Sequence, residues 1–348
     1  MPHAPGCLRP GAGRLIAGPA ALFAADIVAA LDAEPFDAVL ADGALLGALV
    51  GAEARGVRAV VLLGCVYLVP SRVRPPVGRL RPARGAWGRA RDRAGFHVSQ
   101  LLWNPGLRPV NEARAAYGLE PLQRLWDQLD HADRMLMLTS SEFDDPPPEA
   151  PNVRYVGPVL EDFTATDPGV FAMPPGDDPL VVVGLSTSFM DQSDLLRRIT
   201  RALASLPVRG IVTTGPSIDP AVVPAAPNVA VVRSLPHSAI FPQADLVVTH
   251  AGHGTLIKAI ASGVPTLCIP LGRDQHDNAA RAARHGVAQV LSSRADADTI
   301  AAAVRRMLDD PSRRATAAAL GERVRAEIAS GALLAELEGV AAPRATGR

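Results

Sequence analysis

Cysteine is scarce in this chain of 348 residues, with three in all. Cys7, Cys65 and Cys268 are far apart, odd in number and without the spacing of metal ligands. They read as reduced packing residues of a cytoplasmic protein and offer no disulfide framework. Lysine is scarcer: of 35 basic residues only Lys258 is lysine, which reads as codon bias toward arginine and alanine. An excess of one charge is also lacking. The 35 basic residues match 35 acidic ones, so no global field draws the chain to nucleic acid. No long hydrophobic run occurs. The longest, Ala59 to Val69, is too short to cross a bilayer and fits a buried strand. Arg14 with Leu15 to Ala25 resembles a signal peptide, but Asp26 and the helical spacing of Ile27, Val28 and Leu31 fit an amphipathic helix. Internal repeats and a P-loop are absent. Gly252-His253-Gly254 lacks the third glycine of a dinucleotide fingerprint.

What is present is a soluble-type composition, 48% hydrophobic, long enough for two cores. The first half alternates. A helix from Pro19 to Leu31 precedes a strand, Phe36 to Ala41, that ends at Asp42. A helix from about Leu45 to Arg55 and a strand from Ala59 to Leu63 complete a βαβ unit with Asp42 at its ligand-facing end. Residues 70–93 read as irregular, with arginines at 72, 74, 79, 81, 84, 89, 91 and 93 opposed only by Asp92. Such a stretch is a solvated loop, a cover for an anionic substrate, or a contact for a membrane surface. Helical sequence resumes at Phe96 to Trp103, and strands follow at Met135 to Thr139 and Val153 to Val156. The acidic, proline-rich residues 159–179 read as a linker between domains at 1–158 and 180–348.

The second half alternates more regularly, with strands at Leu180 to Val183, Gly210 to Thr213 and Asn228 to Val232. Helices are expected at Gln192 to Ser205, Thr299 to Leu308 and Pro311 to Leu337. This is the signature of a parallel, doubly wound α/β domain. Its most informative stretch is Asp245 to Asn278. Leu246 to Thr249 is a strand, Gly252 and Gly254 lie in the following loop, and Thr255 is a fitting N-cap for the next helix. A second strand, Thr266 to Ile269, leads to a polar loop, Arg273-Asp274-Gln275. A glycine-bearing turn into a helix binds anions, because unpaired N–H groups and the macrodipole face outward. His250 and His253 flank that turn and add donors. The carboxylate and amide of Asp274 and Gln275 suit sugar hydroxyls. The local chemistry points to a diphosphate joined to a polyol.

The run H-A-G-H-G-T, then A-S-G-V-P, then P-L-G-R-D-Q-H-D-N resembles the donor signature of family-1 glycosyltransferases of the GT-B fold. Leu40-Ala41-Asp42, V-R-Y-V-G-P and G-L-S-T-S fall in family order, so the likeness runs over roughly residues 19–335. It implies two Rossmann-like domains facing across a cleft, an acceptor domain and then a donor domain. It also implies inverting transfer of a hexose from a UDP or dTDP sugar to a hydroxyl of a small, hydrophobic acceptor. No cofactor or metal is implied, since the nucleotide sugar is a co-substrate. Carried over residue by residue, Ser186, Thr187, Ser188, His250, Gly252, Gly254 and Thr255 would hold the diphosphate, with His253 nearby. Asp274 and Gln275 would bind the sugar, with Asn278 supporting their loop.

Three departures stand out. Ser234 occupies the position where relatives carry a tryptophan that stacks on the base, leaving backbone near Leu235 to read its edge. Lys258 replaces a glutamate that grips the ribose, which leaves UDP and dTDP both open. Asp42 matches the aspartate that orients a catalytic histidine. Only 41 residues precede Asp42, and His3 lies in proline-rich sequence. The first strand and its histidine are therefore expected to be missing, with a damaged acceptor domain and little activity. A catalytically silent donor-binding partner subunit is the alternative. An epimerase on the same fold would need carboxylates at the sugar beyond Asp274.

Overall fold

The computed structural model describes residues 16–72, 83, 85–146, 150–162, 173–185, 187 and 190–341. The chain divides into two compact units, 1–158 with 327–348, and 159–326.

The first unit holds α1 (Ala20–Ala33), β1 (Ala38–Asp42), α2 (Leu46–Ala54), β2 (Arg58–Leu63), α3 (Ala86–Trp103), α4 (Leu107–Ala115), β3 (Arg134–Met137) and β4 (Val153–Tyr155). Its four strands are parallel and run β1-β2-β3-β4 across the sheet. Inward-facing Val39, Ala41, Val61, Met135 and Met137 form one core with α1 and α2. The two helices meet through glycines. A Cβ on Gly47 would lie 2.1 Å from the Ala20 carbonyl oxygen, and one on Gly51 2.8 Å from that of Ala24. Only hydrogen at these positions lets the backbones approach so closely. Among the described residues β1 is an outer strand, and Leu40 on it is 49% exposed. Arg114 is buried under α2, where Glu53 accepts from its Nη1 and Nη2 at 2.6 and 2.9 Å and Gln128 accepts at 2.8 Å.

The second unit contributes β5 (Leu180–Gly184), α5 (Ser193–Ala204), β6 (Arg209–Thr213), β7 (Val229–Val232), α6 (His237–Ile240), β8 (Leu246–Thr249), α7 (His253–Ala261), β9 (Thr266–Cys268), α8 (Gln275–Arg284), β10 (Ala288–Val290), α9 (Ala297–Leu308) and α10 (Pro311–Ala329). All six strands are parallel, in the order β10-β9-β8-β5-β6-β7. The central strands β5 and β8, with β7, are near-continuous apolar runs, as sheets covered on both faces require. Order reverses between β5 and β8, whose last residues, Gly184 and Thr249, are register partners. A crevice at the carboxyl ends of such strands is where open α/β sheets bind ligands.

Four sequence expectations change. α3 begins at Ala86, inside the stretch read as irregular, because its alanines and arginines are strong helix formers. The arginines at 74, 79, 81 and 84 lie outside the described residues. The helix after the glycine turn starts at His253 with Gly252 as N-cap, so Thr255 sits inside its first turn and caps nothing. Gln275 does not belong to a loop but opens α8, a helix missed because its buried face carries only small and polar side chains. Finally, the long C-terminal helix breaks at Gly331, where φ is +71°, and α11 (Ala332–Ala341) follows. Residues from Glu327 on belong to the first unit and not to the donor-side domain of the sequence reading. Val340 packs with Val60, Leu136 and Val156, Arg58 donates to the Val340 carbonyl, and Glu336 pairs with Arg134 at 3.2 Å. Within the expected linker, residues 163–172 lie outside the described set.

Candidate nucleotide-sugar site

The second unit builds a site at its switch point. β8 delivers His250, the chain turns at Ala251 with φ +64°, and α7 starts at once. A non-glycine residue at positive φ costs about 1–3 kcal/mol and needs outside support. Asn278, fully buried on α8, supplies it by donating through Nδ2 to the Ala251 carbonyl at 3.1 Å and to Asp274 Oδ2 at 2.8 Å. The first bond inside α7 runs from the Leu256 N–H to the Gly252 carbonyl at 3.0 Å. The N–H groups of Gly254 and Thr255 thus have no acceptor within the helix, and Gly252 brings no side chain to cap them.

The two glycines of this turn differ in their surroundings. A Cβ on Gly252 would lie 2.3 Å from Nε2 of His250, so the imidazole occupies the space that a side chain would take. A Cβ on Gly254 would meet nothing within 4 Å. Gly254 opens onto free space at the positive end of the helix.

His250 is buried, and its Nδ1 has no hydrogen-bond partner. Burial pushes its pKa down to about 4, against the opposing effects of a hydrogen bond to the Gly184 backbone and the Asp274 carboxylate, while Arg273 adds to the depression. The site therefore holds a neutral imidazole with an unsatisfied buried nitrogen beside an uncapped helix terminus. Such a nitrogen is satisfied by a ligand hydroxyl that donates to it, or by a proton taken up together with an anion.

His237 stands beside the switch point, against Gly184, and was not among the sequence candidates. Its ring stacks on Phe241 with centroids 4.5 Å apart. The same ring lies against Gly184, where a Cβ would be 3.0 Å from Cε1 of His237 and 3.2 Å from Cγ2 of Thr255. Burial holds the His237 pKa down to about 4, with Asp162 opposing and Lys258 assisting. The proline-histidine pair before a short helix was the available signal.

The other sequence candidates fall into place unevenly. Asp274 stands at the N-cap of α8. Gln275 is buried, its Oε1 accepting from the N–H groups of Leu271 and Gly272 at 2.8 and 3.0 Å, and its Nε2 facing Met190 Sδ at 3.3 Å. Gln275 therefore shapes the 271–272 turn with the same atoms that a sugar would need. Lys258 pairs with Asp162 and donates to the Glu161 carbonyl at 3.2 Å. Asp162 also accepts from the Ser238 N–H and hydroxyl at 2.9 and 2.8 Å. Although burial opposes its ionisation, these donors keep its carboxyl below the usual range. Leu235 is half-buried against the core beside Phe241. His253 is buried in the first turn of α7. Thr187 is exposed, and its carbonyl accepts from Ser217 Oγ at 2.8 Å; Ser186 and Ser188 lie outside the described residues. In the first unit Asp42 is exposed at the end of β1, with Oδ1 accepting from the Ala44 N–H at 2.8 Å. Cys268 is buried, which pushes its thiol up to about 12, so it is an inert packing residue. Among the described residues no group of three or more His, Cys, Asp or Glu side chains is placed to hold a metal.

Two units of parallel sheet, with an uncapped helix at the switch point of the second, fit the GT-B fold of glycosyltransferases. Solved structures share the fold. The glycotransferase of kitacinnamycin superposes with a TM-score of 0.76 at 22% identity, over 99% of this chain and 84% of that one. Glycosyltransferase VinC, solved in complex with DTDP, does so with a TM-score of 0.64 at 20% identity, over 94% and 81%. Among sequence relatives, 4'-demethylrebeccamycin synthase of Lentzea aerocolonigenes is 31% identical over 312 residues, covering 87% of this chain and 73% of the relative. The family model for UDP-glucoronosyl and UDP-glucosyl transferase matches residues 112–323. The chain belongs to that family and is a glycosyltransferase.

Proposed function

We propose that the chain transfers a hexose, with inversion, from a nucleotide-diphosphate sugar to a hydroxyl of a small, hydrophobic natural-product acceptor. The observation that carries this reading is the uncapped start of α7 with the unpartnered Nδ1 of His250 beside it, at the switch point of the sheet. A diphosphate fits there. Gly254 leaves room for it, and the N–H groups of Gly254 and Thr255 point at it. In the reaction the acceptor oxygen attacks the anomeric carbon, the bond from that carbon to the phosphate oxygen breaks, and the diphosphate leaves with increasing negative charge. N–H groups fixed in advance at the helix start stabilise that charge, and His250 joins them through Nδ1 once it takes up a proton on binding. Asp274 faces the sugar, while Gln275 and Asn278 act by holding the loops around it. Asp42, with one carboxylate oxygen tied to Ala44, is assigned to orient the base that takes the acceptor proton; among the described residues no histidine bonds to it.

The donor is a dTDP or UDP sugar, a reading supported by the thymidine nucleotide in VinC and by the family's name. The natural-product acceptor is supported by the names of the rebeccamycin and kitacinnamycin relatives. Calorimetric titration with dTDP and UDP, followed by turnover with their hexose conjugates and a set of polycyclic aglycones, tests both halves. Binding of one nucleotide with glycosylated product of inverted anomeric configuration is expected. Binding without any product would assign the chain as a donor-binding partner subunit, and absence of binding would overturn the site itself.

A further inference from the structure

α3 presents different faces to its two sides. Asp92, Phe96 and Ser99 point into the unit and are buried. On the outer side Trp87 is 91% exposed, Val98 54% and Leu101 73%. At 100° per residue these three, with Ala90 and Ala94, lie in one stripe roughly 80° wide and about 21 Å long. Arg91 borders it on one side, and Arg93 and exposed His97 border it on the other. The only carboxylate on the helix, Asp92, is buried and paired with Arg91 at 2.6 Å. No described residue forms an ion pair with Arg93, whose charge is left for solvent or a partner.

A tryptophan and two large aliphatic residues held in water along a helix mark a contact surface. We propose that this face of α3 docks on the surface of an anionic lipid bilayer, with the stripe in the acyl boundary and the arginines among the headgroups. A row of apolar residues between cations, with tryptophan at one end, is the pattern of a helix that lies in the interface plane. The arginine stems can follow the apolar stripe while their charged ends reach phosphate. No described helix is long and apolar enough to cross a membrane, so the contact is superficial. A second copy of the chain fits worse. A two-fold contact through this face would set the arginines of both copies together, with no exposed carboxylate on the helix to offset them. A nucleic acid would use the arginines and leave Trp87, Val98 and Leu101 in water. The surface extends the proposed function, since a bilayer is also where a hydrophobic acceptor concentrates.

Co-sedimentation of the full chain with phosphatidylcholine vesicles, with and without phosphatidylglycerol, tests the proposal. Binding is expected only with phosphatidylglycerol and should weaken as salt rises. The double variant Trp87→Ser, Leu101→Ser should bind roughly tenfold more weakly or worse. Arg93→Gln should weaken binding about fivefold, with the apolar stripe intact. Circular dichroism and nucleotide-diphosphate titration of both variants establish that the fold and the second unit are retained. Equal binding to uncharged vesicles, binding insensitive to either variant, or no binding by the folded protein would each overturn the proposal. So would concentration-dependent dimerisation, without lipid, that the double variant abolishes.

Discussion

Asn278 holds Ala251 in its left-handed conformation through a hydrogen bond of 3.1 Å from Nδ2 to the Ala251 carbonyl. The residues are 27 apart in sequence, one on the turn into α7 and the other on α8. The turn that exposes the α7 terminus therefore depends on an amide that need not touch ligand. Asn278→Ala should cost about 1–3 kcal/mol, since it leaves a buried carbonyl unsatisfied. Titration should also show nucleotide-diphosphate affinity reduced about tenfold. A variant that unfolds at the native temperature and binds normally would refute this role.

His250 should matter for phosphate and not for the nucleoside. His250→Ala removes the unpartnered nitrogen and leaves a cavity beside Gly252. We expect affinity for a nucleoside diphosphate to fall by about 1.5–3 kcal/mol, the range for a hydrogen bond to a charged group. The weak affinity of the free nucleoside should hold steady, and calorimetry on the two ligands makes the comparison.

The two glycines of the turn predict opposite behaviour. Gly252→Ala forces its Cβ into the His250 ring, so both thermal stability and diphosphate binding should decline. Gly254→Ala meets no protein atom and gains helix propensity of up to about 1 kcal/mol. Its melting temperature should be equal or higher, while diphosphate binding weakens because the methyl group stands where the ligand approaches. Normal binding by a stable Gly254→Ala protein would place the diphosphate elsewhere.

Acidification should destabilise the second unit. His237 and His250 are held down to about 4 when folded, against an ordinary value of 6.5. Between those values the unfolded chain binds protons that the folded chain refuses, so stability rises with pH. Melting temperature should therefore decline as pH drops from 6.5 toward 4, and His250→Phe should make that decline shallower. Diphosphate binding supplies a charge partner for His250 and should be accompanied by proton uptake. Titration in buffers of different ionisation enthalpy measures that uptake.

Five of the six strands of the second unit were legible to within a residue or so, because a strand buried on both faces is an uninterrupted apolar run, as in Leu246–Thr249, whereas the short Ala288–Val290, with Gln289 at its centre, was not read. The glycine turn was legible as a strand-to-helix junction, with His250 before it and Asp274 after the next strand. That Asn278 supports the Asp274 loop was anticipated, but its bond to the Ala251 carbonyl and the role of Gln275 were not. A polar side chain in a sequence looks available for ligand, and only packing reveals that Oε1 of Gln275 is already committed to the backbone. α8 escaped notice because Ala279 and Ala282 form most of its apolar face, which leaves little periodic signal. The apolar positions of α11 were visible as a pattern, but a pattern does not say which sheet it will cover. Lys258 illustrates the same limit from the other side, since its partner Asp162 lies 96 positions away in a stretch read as linker.

The return of α11 to the first unit has a topological consequence. The second unit is an insertion, joined to its host at residues 158–159 and again at 326–327. One backbone cut at the first junction would leave the second fragment carrying its own anchor, the strip of Leu333, Leu337 and Val340 that covers Val60 and Leu136. The halves of a nicked molecule should then migrate together under native conditions and separate only in denaturant. The protein is thus suited to being made as two pieces, with reassembly guided by a helix that spells out where the second piece belongs.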